Sequence, residues 1–232
     1  MVLESIIDPI NAEAHAPYLF FVGFIYSSVA LFLSYWIFKD QSSIIMVLLV
    51  VYAALPLFYH TMRYEEKQTV LIPTERDVMR SHAKVVKFFT YFFIGLTFGY
   101  ALWYLVLPTN MSGIIFRTQV STISSINQHV TGGAAQLAAF SKIFLNNIKV
   151  LVFSLFFSFL FGSGALFIIT WNSSVIAAAF GIFVRTYVEL WGVAGNNIPS
   201  YAYILTISIF RYAIHGIPEI LAYFVAGLAG GI

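Results

Sequence analysis

Between Tyr18 and Phe38 the chain reads YLFFVGFIYSSVALFLSYWIF, without a single charged residue. About 20 apolar residues cross the ~30 Å hydrocarbon core of a bilayer as a helix, and in that medium only helices and closed barrels satisfy their own backbone. Phe88 to Leu107 and Ile148 to Thr170 repeat this length, and Ile44 to Tyr59 falls slightly short of it. Ser173 to Val184 is too short to cross before Arg185, so it either extends through an Arg185 to Glu189 pair or dips in and returns. Tyr201 to Ile232 is too long for one upright span and too short for two with a loop. The expected fold is all-α, a polytopic transmembrane helix bundle of about five to six spans forming one integral membrane domain over 1–232.

Composition excludes other classes. The chain is 60% hydrophobic and 9% charged, whereas soluble domains carry about 25% charged residues. A net charge of +2, with the positive charges gathered in one segment, gives no basic groove for nucleic acid. The absence of cysteine removes disulfides, thiolate metal sites and cysteine nucleophiles. No basic stretch precedes the first apolar run, so the first span is expected to stay in the mature protein.

Six of the twelve Lys and Arg residues, Arg63, Lys67, Arg76, Arg80, Lys84 and Lys87, fall between His60 and Lys87. The positive-inside rule therefore places 60–87 in the cytoplasm as a basic loop and helix extension, with a cytoplasmic N-terminus in the cell membrane. Residues 108–147, with only Arg117 and Lys142, become an extracytoplasmic loop, in which Ile114 to Ile126 can lie as a helix on the membrane surface. Asn110-Met111-Ser112 fits a glycosylation sequon, though close to the membrane. Pro73-Thr74-Glu75 reads as a helix start with Thr74 as cap. Arg76, Arg80, Lys84 and Lys87 then form one basic face, suited to anionic headgroups or to a cytoplasmic partner.

Helices in lipid associate through close backbone approach and interhelical hydrogen bonds, so small residues at four-residue spacing mark contact faces. Gly95 and Gly99 form a GxxxG; Gly23, Ser27, Ala30 and Ser34 line one face of the first span; Ser154, Ser158 and Gly162 line the fourth; and Ala222, Ala226 and Gly230 recur near the end.

Against this background Arg211, His215 and Glu219 stand out. A charge at the centre of a membrane helix costs about 2.5–3.5 kcal/mol and normally faces the bundle interior or a cavity. Gly216-Ile217-Pro218 predicts a break, because proline lacks an N–H and clashes with the preceding turn. Glu219 then lies in the first turn of the next half-helix and His215 at the end of the previous one, each at the favourable end of a helix dipole. Such a joint either lines a ligand, ion or proton site, or pairs structurally within the trio or with Arg185, Glu189, Asn146, Asn147 and Asn172.

Taken together, FLNNIKVLVFSLFFSFLFGSGALFIITWNSSV and IHGIPEILAYFVAGLAGG resemble the stage II sporulation protein M family. The matching positions are Asn146, Asn147, Gly162, Gly164, Asn172, His215, Glu219, Gly227 and Gly231, within Phe144 to Ile232. The resemblance implies a polytopic membrane protein that acts as a non-enzymatic scaffold or assembly partner in the cell envelope. Family members usually continue past the glycine-rich tail into another membrane helix, whereas this chain stops at Ile232 inside an apolar run, as a truncated fragment would.

The expected partners are the lipid bilayer and other membrane or envelope proteins, with a homo-oligomer as one arrangement and no nucleic acid. The alternative function is a transporter or exporter subunit with Arg211, His215 and Glu219 at its polar site, where histidine titrates near neutral pH. A third is an intramembrane serine protease. Gly162-Ser163-Gly164 and His215 are similar to the rhomboid serine and histidine, but Phe161 stands where a glycine belongs. Glu65-Glu66 invites comparison with prenyl-protein proteases but lacks the arginine that should follow. No cofactor is expected, and no metal, since His215 and Glu219 supply two ligands where zinc enzymes use three.

Overall fold

A computed structural model describes residues 17–71, 75–127, 164–191 and 199–210, with short pieces at 144–145, 148–149, 151–152, 221–222 and 225. Every element among them is helical: α1 (Tyr18–Ile37), a 3-10 turn (Lys39–Gln41), α2 (Ser42–Leu71), α3 (Glu75–Val106), α4 (Thr109–Ile115), α5 (Arg117–Asn127), α6 (Gly164–Leu190) and the short α7 (Pro199–Phe210). Four of these helices are long and apolar enough to cross a membrane. The chain is a polytopic all-α membrane protein.

The first contact is built on glycine. A Cβ placed on Gly95 would strike the Phe20 backbone, one on Gly99 would strike the Ser27 hydroxyl, and one on Gly23 would lie 2.9 Å from the Leu96 nitrogen. Only hydrogen at these positions lets α1 and α3 approach so closely. Gly23, Ser27, Ala30 and Ser34 are all buried. Ser27 and Ser34 return their hydroxyls to Phe24 O (3.0 Å) and Leu31 O (2.9 Å), so neither carries an unmet donor into the interface. One turn on, Trp103 Nε1 donates to Ser28 Oγ at 2.8 Å, and Phe32 meets the Trp103 ring edge-on at 4.6 Å. Partners climb together along both chains, from Phe20 with Gly95 to Phe32 with Trp103, so α1 and α3 are parallel.

The helix between them runs back. Phe58 on α2 packs on Phe89 at 4.9 Å, whereas Ser43 at its start meets Thr118 just beyond α3. Residues 38–43 and 107–119 therefore share one end of the bundle, and 60–71 and 75–87 lie at the other. Within the basic segment 60–71 and 75–87 are helical, the ends of α2 and α3. At about 1.5 Å per residue α2 and α3 measure about 45 and 48 Å, well beyond the ~30 Å of hydrocarbon. Met62, Glu65, Glu66, Lys67 and Gln68 are good helix formers, which carries α2 past the expected limit at Tyr59. Pro56 lies inside that helix without ending it.

The second difference concerns α6. The sequence ends a span at Thr170, yet the helix passes straight through it and through Asn172 to Leu190. The polar run survives because each side chain bonds back to its own helix: Thr170 Oγ1 to Leu166 O (2.8 Å), Asn172 Nδ2 to Ile168 O (2.9 Å), Ser173 Oγ to Thr170 O and Ser174 Oγ to Trp171 O (both 2.7 Å). Bonds of this kind satisfy polar groups that lipid cannot.

Candidate functional site

Pro108 cannot continue α3, so the last carbonyls of that helix lose their usual donors. Arg185 on α6 supplies replacements. Its Nη2 donates to Leu107 O at 2.6 Å, to Leu105 O at 3.4 Å and to Tyr104 O, while Nη1 donates to Ser112 Oγ at 2.9 Å. The guanidinium also lies 5.0 Å from the Tyr104 ring centroid. A helix C-terminus carries about half a negative charge, which favours a cation there. The planar fork reaches several acceptors at once, as a lysine ammonium does not.

The approach has its own requirement one turn earlier. A Cβ on Gly181 would collide with the Tyr104 ring, so this glycine brings α6 near enough for Arg185 to reach the carbonyls. Ser112 in turn donates to Thr109 O at 3.2 Å, tying the guanidinium to the first turn of α4.

A second polar group lies close by in the chain. Gln119 on α5 is fully buried, and its Nε2 donates to Ser43 O at 3.0 Å and Ser174 Oγ at 3.1 Å. Ser43 Oγ sits 2.6 Å from Thr118 Oγ1 and accepts from the Thr118 backbone N–H at 3.4 Å. That N–H belongs to the first turn of α5, where no carbonyl of its own helix can serve it. One residue from α2 thus caps α5, while Gln119 ties α2 to α6. Gln119 Oε1 and the fully buried Tyr100 hydroxyl have no hydrogen-bond partner among the described residues.

Of the residues singled out in the sequence, Arg211, His215, Glu219, Asn146, Asn147, Gly162, Ser163, Gly227 and Gly231 lie outside the described residues, as does the expected break at Gly216-Pro218. Arg185 is half-buried and bonded to α3 and α4. Glu189 is exposed, and no ion pair joins it to Arg185 among the described residues. Asn172 is half-buried but turned onto its own helix, away from the Arg185 cluster. Gly164 opens α6. Gly95 and Gly99 hold the α1–α3 contact. Arg76, Lys84 and Lys87 are exposed on α3, and Arg80 lies between them in the same helix. No group of three metal-ligating side chains occurs among the described residues.

Ser43, Ser112, Gln119, Ser174 and Gly181 escape a reading of the sequence. Gln119 lies in RTQVSTISSIN, which resembles a surface segment, and the only clue to its burial is the spacing of Phe116, Val120 and Ile123 along the same helix. The expected surface helix is instead two helices meeting at Phe116, with Ile115 and Phe116 fully buried.

No protein-family model, curated protein or solved structure matches the chain.

Proposed function

We propose that the protein is a non-enzymatic membrane scaffold or assembly subunit of the cell envelope, of the kind that the resemblance to stage II sporulation protein M implies. The observation that carries this reading is the bonding of Arg185. A cation placed to act on a solute needs free donors, and this guanidinium already serves three backbone carbonyls and a serine. It holds helices in place. The outer face of α1, with Phe21, Ile25, Val29 and Trp36 exposed, offers apolar surface to lipid or to the helices of another membrane protein. In this reading 60–87 is cytoplasmic, as the positive-inside rule predicts, and 108–147 faces the opposite side.

Photo-crosslinking in native membranes from Phe21, Ile25 and Trp36 tests it. The expected result is a discrete protein adduct from one helical face. Lipid adducts alone from every position would contradict it.

Transport is the second reading, favoured by the buried and unpartnered Gln119 Oε1 and Tyr100 hydroxyl, since buried polar groups in a membrane bundle mark solute paths as well as joints. Proteoliposomes whose solute or proton flux falls on Gln119→Leu or His215→Ala would favour it over the scaffold.

A further inference from the structure

The protruding α2–α3 hairpin carries two tiers of charge, and they differ in sign. Because α2 and α3 are antiparallel and Phe58 packs on Phe89 at 4.9 Å, axial levels can be counted outward from that contact. Arg63, five residues past Phe58, stands level with Lys84, five before Phe89; His60 stands level with Lys87. Residues 58–64 and 83–89 contain no Asp or Glu, and the hairpin's acids, Glu65, Glu66, Glu75 and Asp77, all lie further out. The inner tier is thus purely cationic and the outer one mixed.

The inner tier also sits where a bilayer changes from hydrocarbon to headgroup. The apolar spans of the two helices end at Tyr64 and begin at His82, so Arg63 and Lys84 occupy their terminal turns and Lys87 the turn next to it, and all three are exposed. Long basic side chains at this depth extend toward the phosphates. Tyr59 supplies the aromatic neighbour typical of that level. Its hydroxyl accepts from Arg63 Nε at 3.0 Å, and its ring lies 5.5 Å from the guanidinium carbon. This contact engages Nε, and the Arg63 terminal nitrogens have no hydrogen-bond partner among the described residues, so they can donate to a phosphate.

We propose that Tyr59, Arg63, Lys84 and Lys87 form a headgroup-level site that retains anionic phospholipid in preference to zwitterionic lipid. The inference is independent of the assembly reading. Arg76 lies eight residues before Lys84, about 12 Å further from the membrane at about 1.5 Å per residue. Screening removes most of an exposed charge's influence beyond about 8–10 Å. The inner tier therefore contacts lipid and Arg76 does not.

The test is lipid retention by the whole protein. Nanodiscs of mixed phosphatidylglycerol and phosphatidylcholine would be dissolved in mild detergent, and the co-purifying lipid ratio measured. The wild-type protein is expected to enrich phosphatidylglycerol, by about fivefold for each cation engaged. The variant R63Q/K84Q/K87Q should return the bulk ratio, and Arg76→Gln should retain the wild-type enrichment. If the triple variant does not fold, raising salt from about 0.05 to 0.5 M should strip the wild-type enrichment, since exposed charges are screened. No wild-type enrichment, enrichment that persists in a folded triple variant or at high salt, or an equal loss in Arg76→Gln would overturn the proposal.

Discussion

Along α1 and α3 contact depends on what glycine lacks, whereas at the end of α3 it depends on what Arg185 carries. In the first region backbones meet directly because Gly23, Gly95 and Gly99 have no side chains to part them. In the second a long side chain bridges a gap and gives donors to Tyr104 O, which the missing N–H of Pro108 leaves without one, and to the neighbouring Leu105 O and Leu107 O. Both solve the same problem, since lipid supplies neither an apolar driving force between helices nor hydrogen bonds to a bare backbone. The first solution tolerates almost no added volume, and the second almost no change of charge geometry.

Enlarging Gly95 should do the most damage. Gly95→Leu forces a side chain into the Phe20 backbone and is expected to cost about 3 kcal/mol or more, read as a lower thermal midpoint in detergent. Gly113, with nothing within 4 Å of an added Cβ, is the control. Gly113→Ala should be neutral or stabilise by up to about 1 kcal/mol through helix propensity. If both substitutions behave alike, close approach is not what holds α1 to α3.

Arg185→Leu comes next. It removes a charge whose insertion costs about 2.5–3.5 kcal/mol, but also removes four hydrogen bonds, at about 1.5–3 kcal/mol for each bond to a charged group. The second effect is larger, so a net loss of about 2.5 kcal/mol or more is expected in the same melting assay. Arg185→Lys should recover only part of it, because an ammonium cannot fork across several carbonyls. Full recovery would show that charge alone, not geometry, closes this end.

Smaller effects sharpen the contrast. Trp103→Phe keeps the ring beside Phe32 but loses the 2.8 Å bond to Ser28, for an expected cost of about 1 kcal/mol. Gln119→Leu should fall within about 1 kcal/mol of wild type. It loses two bonds, but it also removes an acceptor that has no partner, and Ser174 Oγ keeps its own bond to Trp171 O. A much larger loss in chemical denaturation would mean that Gln119 Oε1 has a partner in the membrane.

The glycine contact was legible in the sequence because GxxxG and the Gly23-Ser27-Ala30-Ser34 face state their geometry through spacing alone. Arg185 was conspicuous too, as a charge inside an apolar run, yet its partners were not. They are backbone carbonyls, which every residue possesses and no sequence marks. The carboxylate nearest in sequence, Glu189, is exposed and does not pair with Arg185 among the described residues. Boundaries failed for a related reason. Thr170, Asn172, Ser173 and Ser174 look like the polar exit of a span, but short polar side chains that bond back to their own helix let it continue to Leu190. Gln119 was invisible because its burial depends on α5 folding against α2 and α6, a tertiary event in a segment whose composition reads as surface.

Arg185 fastens the end of α3 and the start of α4 and leaves the α1–α3 seam to hold itself. Hydrogen-exchange mass spectrometry of wild type and Arg185→Leu in the same bilayer mimic tests this most directly. Exchange is predicted to accelerate about tenfold or more at the amides of Met111, Ser112 and Phe116, whose bonds run to Pro108 O and Ser112 O, with residues 92–99 unchanged. Unchanged protection at 108–116, or loss of it along the whole of α3, would contradict the claim.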